Sequence, residues 1–248
     1  MVKNIYALGQ LESFRNKTMD NISKHIEYAR EASKYGAQII IFPEMSLTGY
    51  ERFFEKDQLF TIKDKRFDEL LKTANNYNLI LNVGVPLSID NKTYISSVLI
   101  FPGNKIEIYV KKHLHIGEDD FFYSSKDYDP VINLNGEQLS FAICYDIEID
   151  EHVNLAKKRN SSTYVASIFY SLESINSGVQ RLKKISTEFH MDILMTNYVG
   201  NCWDTCAGGK SLVFDKYGVK IIEGDSHTEC LLIAEKNDED WIGKKIKF

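Results

Sequence analysis

The sequence predicts an α/β fold of four layers, an α-β-β-α sandwich in which two mixed sheets pack face to face with helices outside. Three observations carry this expectation. Apolar strands at residues 39–42, 79–85, 163–169 and 192–196 are separated by amphipathic helices. Hairpin signals are interspersed among them at Pro102-Gly103-Asn104, Asn135-Gly136 and Asp215-Lys216-Tyr217-Gly218. Two-residue hairpins are incompatible with a purely parallel sheet, so the sheets must be mixed. No repeat, low-complexity segment or linker interrupts the 248 residues, and residues 1–248 are expected to form one domain.

The elements follow in order. Residues 5–8 are the first strand. Residues 20–35 are a helix, with Ile22, Ile26, Ala29 and Ala32 on one side, Asp20 as N-cap and Gly36 as stop. The strand at 39–42 ends at Pro43. A second helix spans 65–77, with Phe67, Leu70, Leu71 and Ala74 inward, and a strand at 79–85 is closed by Pro86. Strands at 94–101 and 106–110 flank a turn. Residues 111–130 have no period, and a connection of that length is expected to be functional or disordered; Phe121, Phe122 and Tyr123 favour an ordered one. Strands at 131–134 and 139–143 form the next hairpin, followed by a helix at 149–159 and the strand at 163–169. A helix at 174–190, the strand at 192–196 and a loop at 197–209 come next. A hairpin of 210–214 with 219–222 and a final strand at 230–234 complete the chain.

Composition narrows the function classes. Net charge is −5 with both signs mixed, so no basic footprint for nucleic acid is expected. The run Lys157-Lys158-Arg159 falls at a helix C-terminus, where it complements the dipole. No apolar stretch approaches the roughly 20 residues that span a bilayer. The N-terminus carries no secretory h-region, and four cysteines in this length do not make a disulfide scaffold. A reduced, cytoplasmic protein without membrane attachment is the expectation.

Three strand ends carry chemistry. Glu44 follows the strand at 39–42, Lys111 the strand at 106–110, and Cys144 the strand at 139–143. A sheet presents such positions to a shared rim. Cys144 also lies at a strand-to-helix elbow, where a nucleophile can be held on a tight turn beside a free backbone N–H. Taken alone, a lone cysteine reads more often as a core residue, and a charged residue past a strand end more often as solvated. The combination is more specific. A thiolate is a strong nucleophile, and a neighbouring ammonium favours that form. A carboxylate can take the thiol proton and return it to a leaving nitrogen. The Lys111 ammonium and the Tyr145 backbone N–H can hold a tetrahedral oxyanion. Glu44 and Lys111, as opposite charges in a small cavity, offset each other's burial.

Phe42-Pro43-Glu44, Tyr109-Val110-Lys111-Lys112-His113-Leu114 and Ala142-Ile143-Cys144-Tyr145-Asp146 resemble, in order and spacing, the three signature blocks of the nitrilase, or carbon–nitrogen hydrolase, superfamily. The resemblance extends over nearly the whole chain and includes Asn197-Tyr198-Val199-Gly200 and Gly208-Gly209-Lys210-Ser211. It implies Cys144 as nucleophile, Glu44 as general base and acid, and Lys111, two before His113, as the catalytic lysine. It implies Glu118 as a further glutamate that orients Lys111 and substrate; a solvated acidic run with Asp119 and Asp120 is the alternative. It also implies a homodimer; the thiol chemistry itself implies a thioester intermediate.

Departures from the family pattern bear on specificity. The third block continues as Glu148-Ile149-Asp150-Glu151, where basic residues are usual. Ser124-Ser125 stands where Pro-Gly is common, and Lys183-Lys184-Ile185-Ser186 replaces an Arg-Ala step. Tyr170 reads as a pocket wall or as an ordinary half-buried tyrosine. His113 reads as a structural neighbour of the site. Cys202 and Cys206 form a C-x₃-C pair without a second pair, so neither a metal nor a cofactor is expected. The expected activity is hydrolysis of a nonpeptide carbon–nitrogen bond in a small linear carboxamide, with water as second substrate. The alternatives are an N-carbamoyl-amide hydrolase or a nitrilase with the same triad, and a non-catalytic binding protein of the same fold.

Overall fold

A computed structural model describes residues 3–248. In chain order the elements are β1 (Lys3–Gln10), α1 (Thr18–Lys34), β2 (Ile39–Ile41), α2 (Asp68–Tyr77), β3 (Ile80–Ile89), β4 (Lys92–Ile100) and β5 (Ile106–Val110). There follow β6 (Ile132–Leu134), β7 (Glu137–Ile143), α3 (Asp150–Lys158), β8 (Thr163–Ser167), α4 (Ile175–Phe189) and β9 (Asp192–Thr196). The chain closes with β10 (Asn201–Cys202), β11 (Thr205–Cys206), β12 (Leu212–Phe214), β13 (Lys220–Glu223), β14 (Cys230–Asn237) and β15 (Asp240–Lys247). One mixed sheet runs β15-β14-β1-β2-β3-β4-β5 and the other β13-β12-β9-β8-β7-β6, with β10-β11 as a small separate hairpin.

Side-chain alternation builds the layers. Along β7, Phe141 and Ile143 join the core between the sheets, while Ala142 joins a second core beneath the helices. Val165 and Leu194 likewise point inward, whereas Tyr164, Ala166, Ile193 and Met195 pack with Val153 of α3 and Leu182 and Ile185 of α4. Period-two alternation thus feeds two apolar layers from one strand. On the other sheet Ile39, Ile40 and Ile41 are all buried, the pattern of a strand covered on both faces. The α-β-β-α sandwich read from the sequence is the observed fold.

Several boundaries differ for physical reasons. β3 passes through Pro86 instead of ending before it. The Pro86 carbonyl accepts from Phe60 N at 3.0 Å, so its nitrogen faces the side where three-residue β2 has already ended, and no ladder bond is lost. α1 begins at Thr18 after Lys17, without a side-chain cap. Asp20 therefore lies in the first turn, where its charge suits the helix dipole. The expected helix at 65–77 opens as a 3-10 turn, Lys65–Phe67, before α2. The loop at 197–209 contains the β10-β11 hairpin. β15 was not expected: its lysines face solvent while Trp241 and Ile246 pack on the core, the polar character of a protected edge strand.

Two buried histidines make stability depend on pH. His25 lies between the Asn21 carbonyl at 2.7 Å and Ser46 Oγ at 2.9 Å, and burial lowers its pKa to about 3. His152 lies between the hydroxyls of Tyr109 and Tyr164, at 2.8 and 2.7 Å; burial lowers it to about 4 despite Asp146 nearby. Both fold neutral, whereas the unfolded chain protonates them near about 6.5. Their contribution is complete above that value and is lost as pH falls through the folded values. Glu44, whose pKa is raised, acts in the opposite sense. The urea midpoint is expected to drop between pH 7 and 5; a midpoint that is flat or rises contradicts this account.

Candidate active site

Glu44 is placed by a chain reversal after β2. Phe42 N still donates to Asn82 O at 3.0 Å, and then Pro43 ends the ladder. Met45 takes a left-handed backbone with φ 51°, and Leu47 N returns to Gly84 O at 3.0 Å. This turn lies directly on β3. A Cβ on Gly84 would stand 2.2 Å from Met45 N and 2.5 Å from Pro43 O, so only glycine permits the approach. Gly84→Ala is expected to destabilise the fold by about 1–3 kcal/mol through overpacking. It should also displace Glu44, read as a loss of activity larger than the loss of folded protein.

Lys111 continues β5 onto β4, its N–H donating to Ile95 O at 2.9 Å. Its side chain is fully buried, with Nζ 2.8 Å from Glu44 Oε1 and 2.8 Å from the Glu118 carboxylate. Glu118 is also buried, while Asp119 and Asp120 are exposed, which separates it from a solvated acidic run. It accepts from Tyr50 Oη at 2.7 Å and from His115 N at 2.8 Å. The segment after Lys111 is held by backbone bonds, including Tyr123 N to Thr93 O at 2.9 Å. Phe122 alone of its three aromatics is buried.

Cys144 ends β7 with φ 45°, a left-handed backbone uncommon for a non-glycine residue and typical of strained functional turns. Its thiol faces Phe169 O at 3.6 Å. A 3-10 turn, Cys144–Glu148, follows, and Tyr145 N–H belongs to the first turn, whose donors lack intrahelical partners. Asp146 fixes this elbow. Its carboxylate accepts from Ile143 N at 3.0 Å, His113 N at 2.8 Å, Lys112 N at 3.2 Å and Tyr109 Oη at 2.7 Å. Burial alone would raise its pKa, yet the His113 ring, with Nδ1 3.1 Å from Oδ1, leads the neighbours that hold it below the usual carboxylate range. One buried side chain thus ties the strand end that carries Lys111 to the turn that carries Cys144. His113 serves this linkage.

The charges are strongly coupled. Burial raises the Glu44 pKa to about 7, with Lys111 opposing and Glu118 reinforcing the shift. Burial pulls Lys111 down, but Glu44, Cys144 and Glu118 outweigh it and hold the ammonium above its ordinary range. Cys144 differs from the sequence expectation. Burial and Glu44 push its thiol well up, and Lys111 does not overcome them, so the sulfur is held as a thiol at neutral pH. Glu44 Oε2 is buried without a hydrogen-bond partner, and the Cys144 thiol interacts with this carboxyl.

A cavity of about 310 Å³ opens onto Cys144, Glu44 and Glu118, walled by Tyr50, Phe169, Tyr170 and Trp203. Tyr170 is held by Glu148 Oε1, 2.7 Å from its hydroxyl, and by Asn197 Oδ1, 3.0 Å from its N–H. Cys202 is buried and Cys206 exposed on facing strands of the β10-β11 hairpin. The structure therefore brings Glu44, Lys111, Glu118, Cys144, Tyr145 and Tyr170 to one place. Sequence reasoning missed Tyr50, Arg52 and Trp203, which lie in loops without periodicity. It also missed Asp146 as a tether, although an acid two residues past the elbow, within reach of the Ile143 N–H, was a usable capping signal.

The carbon–nitrogen hydrolase family model matches residues 6–243. The glutamine-dependent NAD(+) synthetase of Aquifex aeolicus is 25% identical over 235 residues, which is 92% of this chain and 40% of that protein. The chain thus spans less than half the length of that relative. The 2-oxoglutaramate amidase of Bacillus subtilis is 26% identical over 220 residues, covering 87% of this chain and 84% of that one. An amidase from Nesterenkonia sp. shares the fold, with a TM-score of 0.86 at 22% identity over 95% of this chain and 91% of that structure. No helix among the described residues is long and apolar enough to cross a membrane. This chain belongs to the carbon–nitrogen hydrolase family.

Proposed function

We propose that the protein is an amidase that releases ammonia from a small linear carboxamide through a thioester on Cys144. The observation that carries this reading is the buried Glu44–Lys111–Glu118 cluster at 2.8 Å contacts, meeting the Cys144 elbow in one cavity. The similarity to a 2-oxoglutaramate amidase supports an amide substrate. Glu44 takes the thiol proton as sulfur attacks the carbonyl carbon. Lys111 Nζ and Tyr145 N–H hold the resulting oxyanion. Collapse breaks the C–N bond, and Glu44 returns the proton to the departing ammonia. Water then gives a proton to Glu44 and attacks the thioester; the second collapse releases the acid, and the sulfur recovers its proton from Glu44. Glu118 and Tyr50 keep Lys111 aimed, and Tyr170 lines the substrate's path. The reading takes residues 1–248 as one cytoplasmic domain forming a homodimer, to be checked as a solution mass of twice 28.6 kDa.

Ammonia release from a panel of linear amides, without carbon dioxide, tests this function; carbon dioxide in equal amount favours a carbamoyl substrate. The pH profile gives a second test. The base must be ionised, and Glu44 titrates at about 7. Thus kcat/KM is expected to fall about tenfold per unit below that value and to level above it. Lys111, held high, adds no alkaline limb at moderately basic pH. A rate that rises as pH falls from 7 to 5 contradicts Glu44 as base.

A further inference from the structure

We infer that the substrate carries a carboxylate at the end remote from its amide and that Arg52 binds it. This rests on the amidase reading and adds the substrate's chemical class.

Two buried polar atoms on the cavity-lining residues lack hydrogen-bond partners. One is Glu44 Oε2, an acceptor; the other is Arg52 Nε, a donor. Glu44 and Glu118 are each paired with Lys111. Arg52 is not: its neighbour Glu51 is taken by Arg15, 2.9 Å from Arg15 Nη2, and Arg52 makes no ion pair among the described residues. The half-buried guanidinium therefore offers an unpaired positive charge at the cavity wall.

The guanidinium is nonetheless held in a fixed pose. Nη1 donates to Gly117 O at 3.2 Å and Nη2 to Ile116 O at 3.4 Å, and the group lies 4.2 Å over the Trp203 ring. A Cβ on Gly117, whose φ is +80°, would stand 2.7 Å from Nη1, so this turn makes room for the arginine. Of five N–H donors, two are used on carbonyls, leaving three on a rigid fork suited to a carboxylate. Trp203 and the backbone fix the plane in advance, which lowers the ordering cost of binding. A substrate with an ammonium at that end would meet like charge.

The test compares kcat/KM for ammonia release by the full chain from three amide classes of matched length. These are the monoamides of succinic and glutaric acids, butanamide and pentanamide, and 4-aminobutanamide. The expected order is acidic above neutral above cationic, with acidic over neutral by roughly 10- to 100-fold, the range of a charged hydrogen-bond pair. In Arg52→Met that ratio should collapse toward one, and Arg52→Lys should recover part of it. Raising salt should shrink the wild-type preference, because the site is open to solvent. A wild-type ratio at or below one, or a ratio unchanged in Arg52→Met, overturns the assignment while neutral-amide turnover leaves the amidase reading standing. Failure to hydrolyse any of the three classes overturns both.

Discussion

Cys144→Ala is expected to abolish ammonia release, a loss of about 10⁴–10⁶ in kcat, the scale seen when a nucleophile that acts as part of a unit is removed. The fold should tolerate the change. The side chain is small and half-buried, and its one directional contact is a weak thiol bond to Phe169 O at 3.6 Å. The urea midpoint should therefore move little while turnover disappears. Alanine at this position still pays for the left-handed backbone at φ 45°, which is set by the turn and by Asp146, not by the sulfur. Asp146→Asn should separate geometry from chemistry. It keeps the shape but alters the acceptor set that joins Ile143, Lys112, His113 and Tyr109. The expected result is a lower kcat with sulfur still present and still alkylated.

Lys111→Met carries the second large effect, and it acts on two links at once. In the transition state it removes one oxyanion donor, a loss of about 10²–10³ in rate. In the folded state it strands Glu44 and Glu118, whose side chains are 0% and 1% exposed. Breaking a buried ion pair from one side typically costs about 3–5 kcal/mol, because the remaining charge is uncompensated. Protonating the carboxyls relieves that cost, so the variant should regain stability as pH falls, the opposite of the trend set by His25 and His152. Adding Glu118→Gln should recover part of the lost stability without recovering the rate. A single Lys111→Met variant that keeps wild-type turnover removes lysine from the chemistry.

Much of this was legible in the sequence because strands end where their apolar runs end. Glu44, Lys111 and Cys144 could be placed on a common rim from residues 39–42, 106–110 and 139–143 alone, and the structure joins them there. The two-sheet architecture was legible for the same reason, since hairpins and apolar strands impose different pairings. What stayed hidden depends on partners remote in sequence. Pro86 reads as a stop unless one knows that β2 is three residues long. β15 reads as a polar tail because an edge strand hides only Trp241 and Ile246. Arg52 and Tyr50 sit in a stretch without period, and only contacts to Gly117 and Glu118 reveal what they face. The protonation state of Cys144 was also beyond reach: nearness to an ammonium was readable, but the burial that outweighs it was not.

The central claim is a covalent acyl group on one sulfur. Rapid acid quench of the wild-type chain during turnover of a linear amide, followed by peptide mass spectrometry, reads it directly. The account predicts that the peptide containing Cys144 gains the mass of the acyl moiety, that the adduct is cleaved by hydroxylamine, and that it is absent from Cys144→Ala. Steady ammonia production with Cys144 unmodified at every quench time and the acyl group on another residue would contradict it.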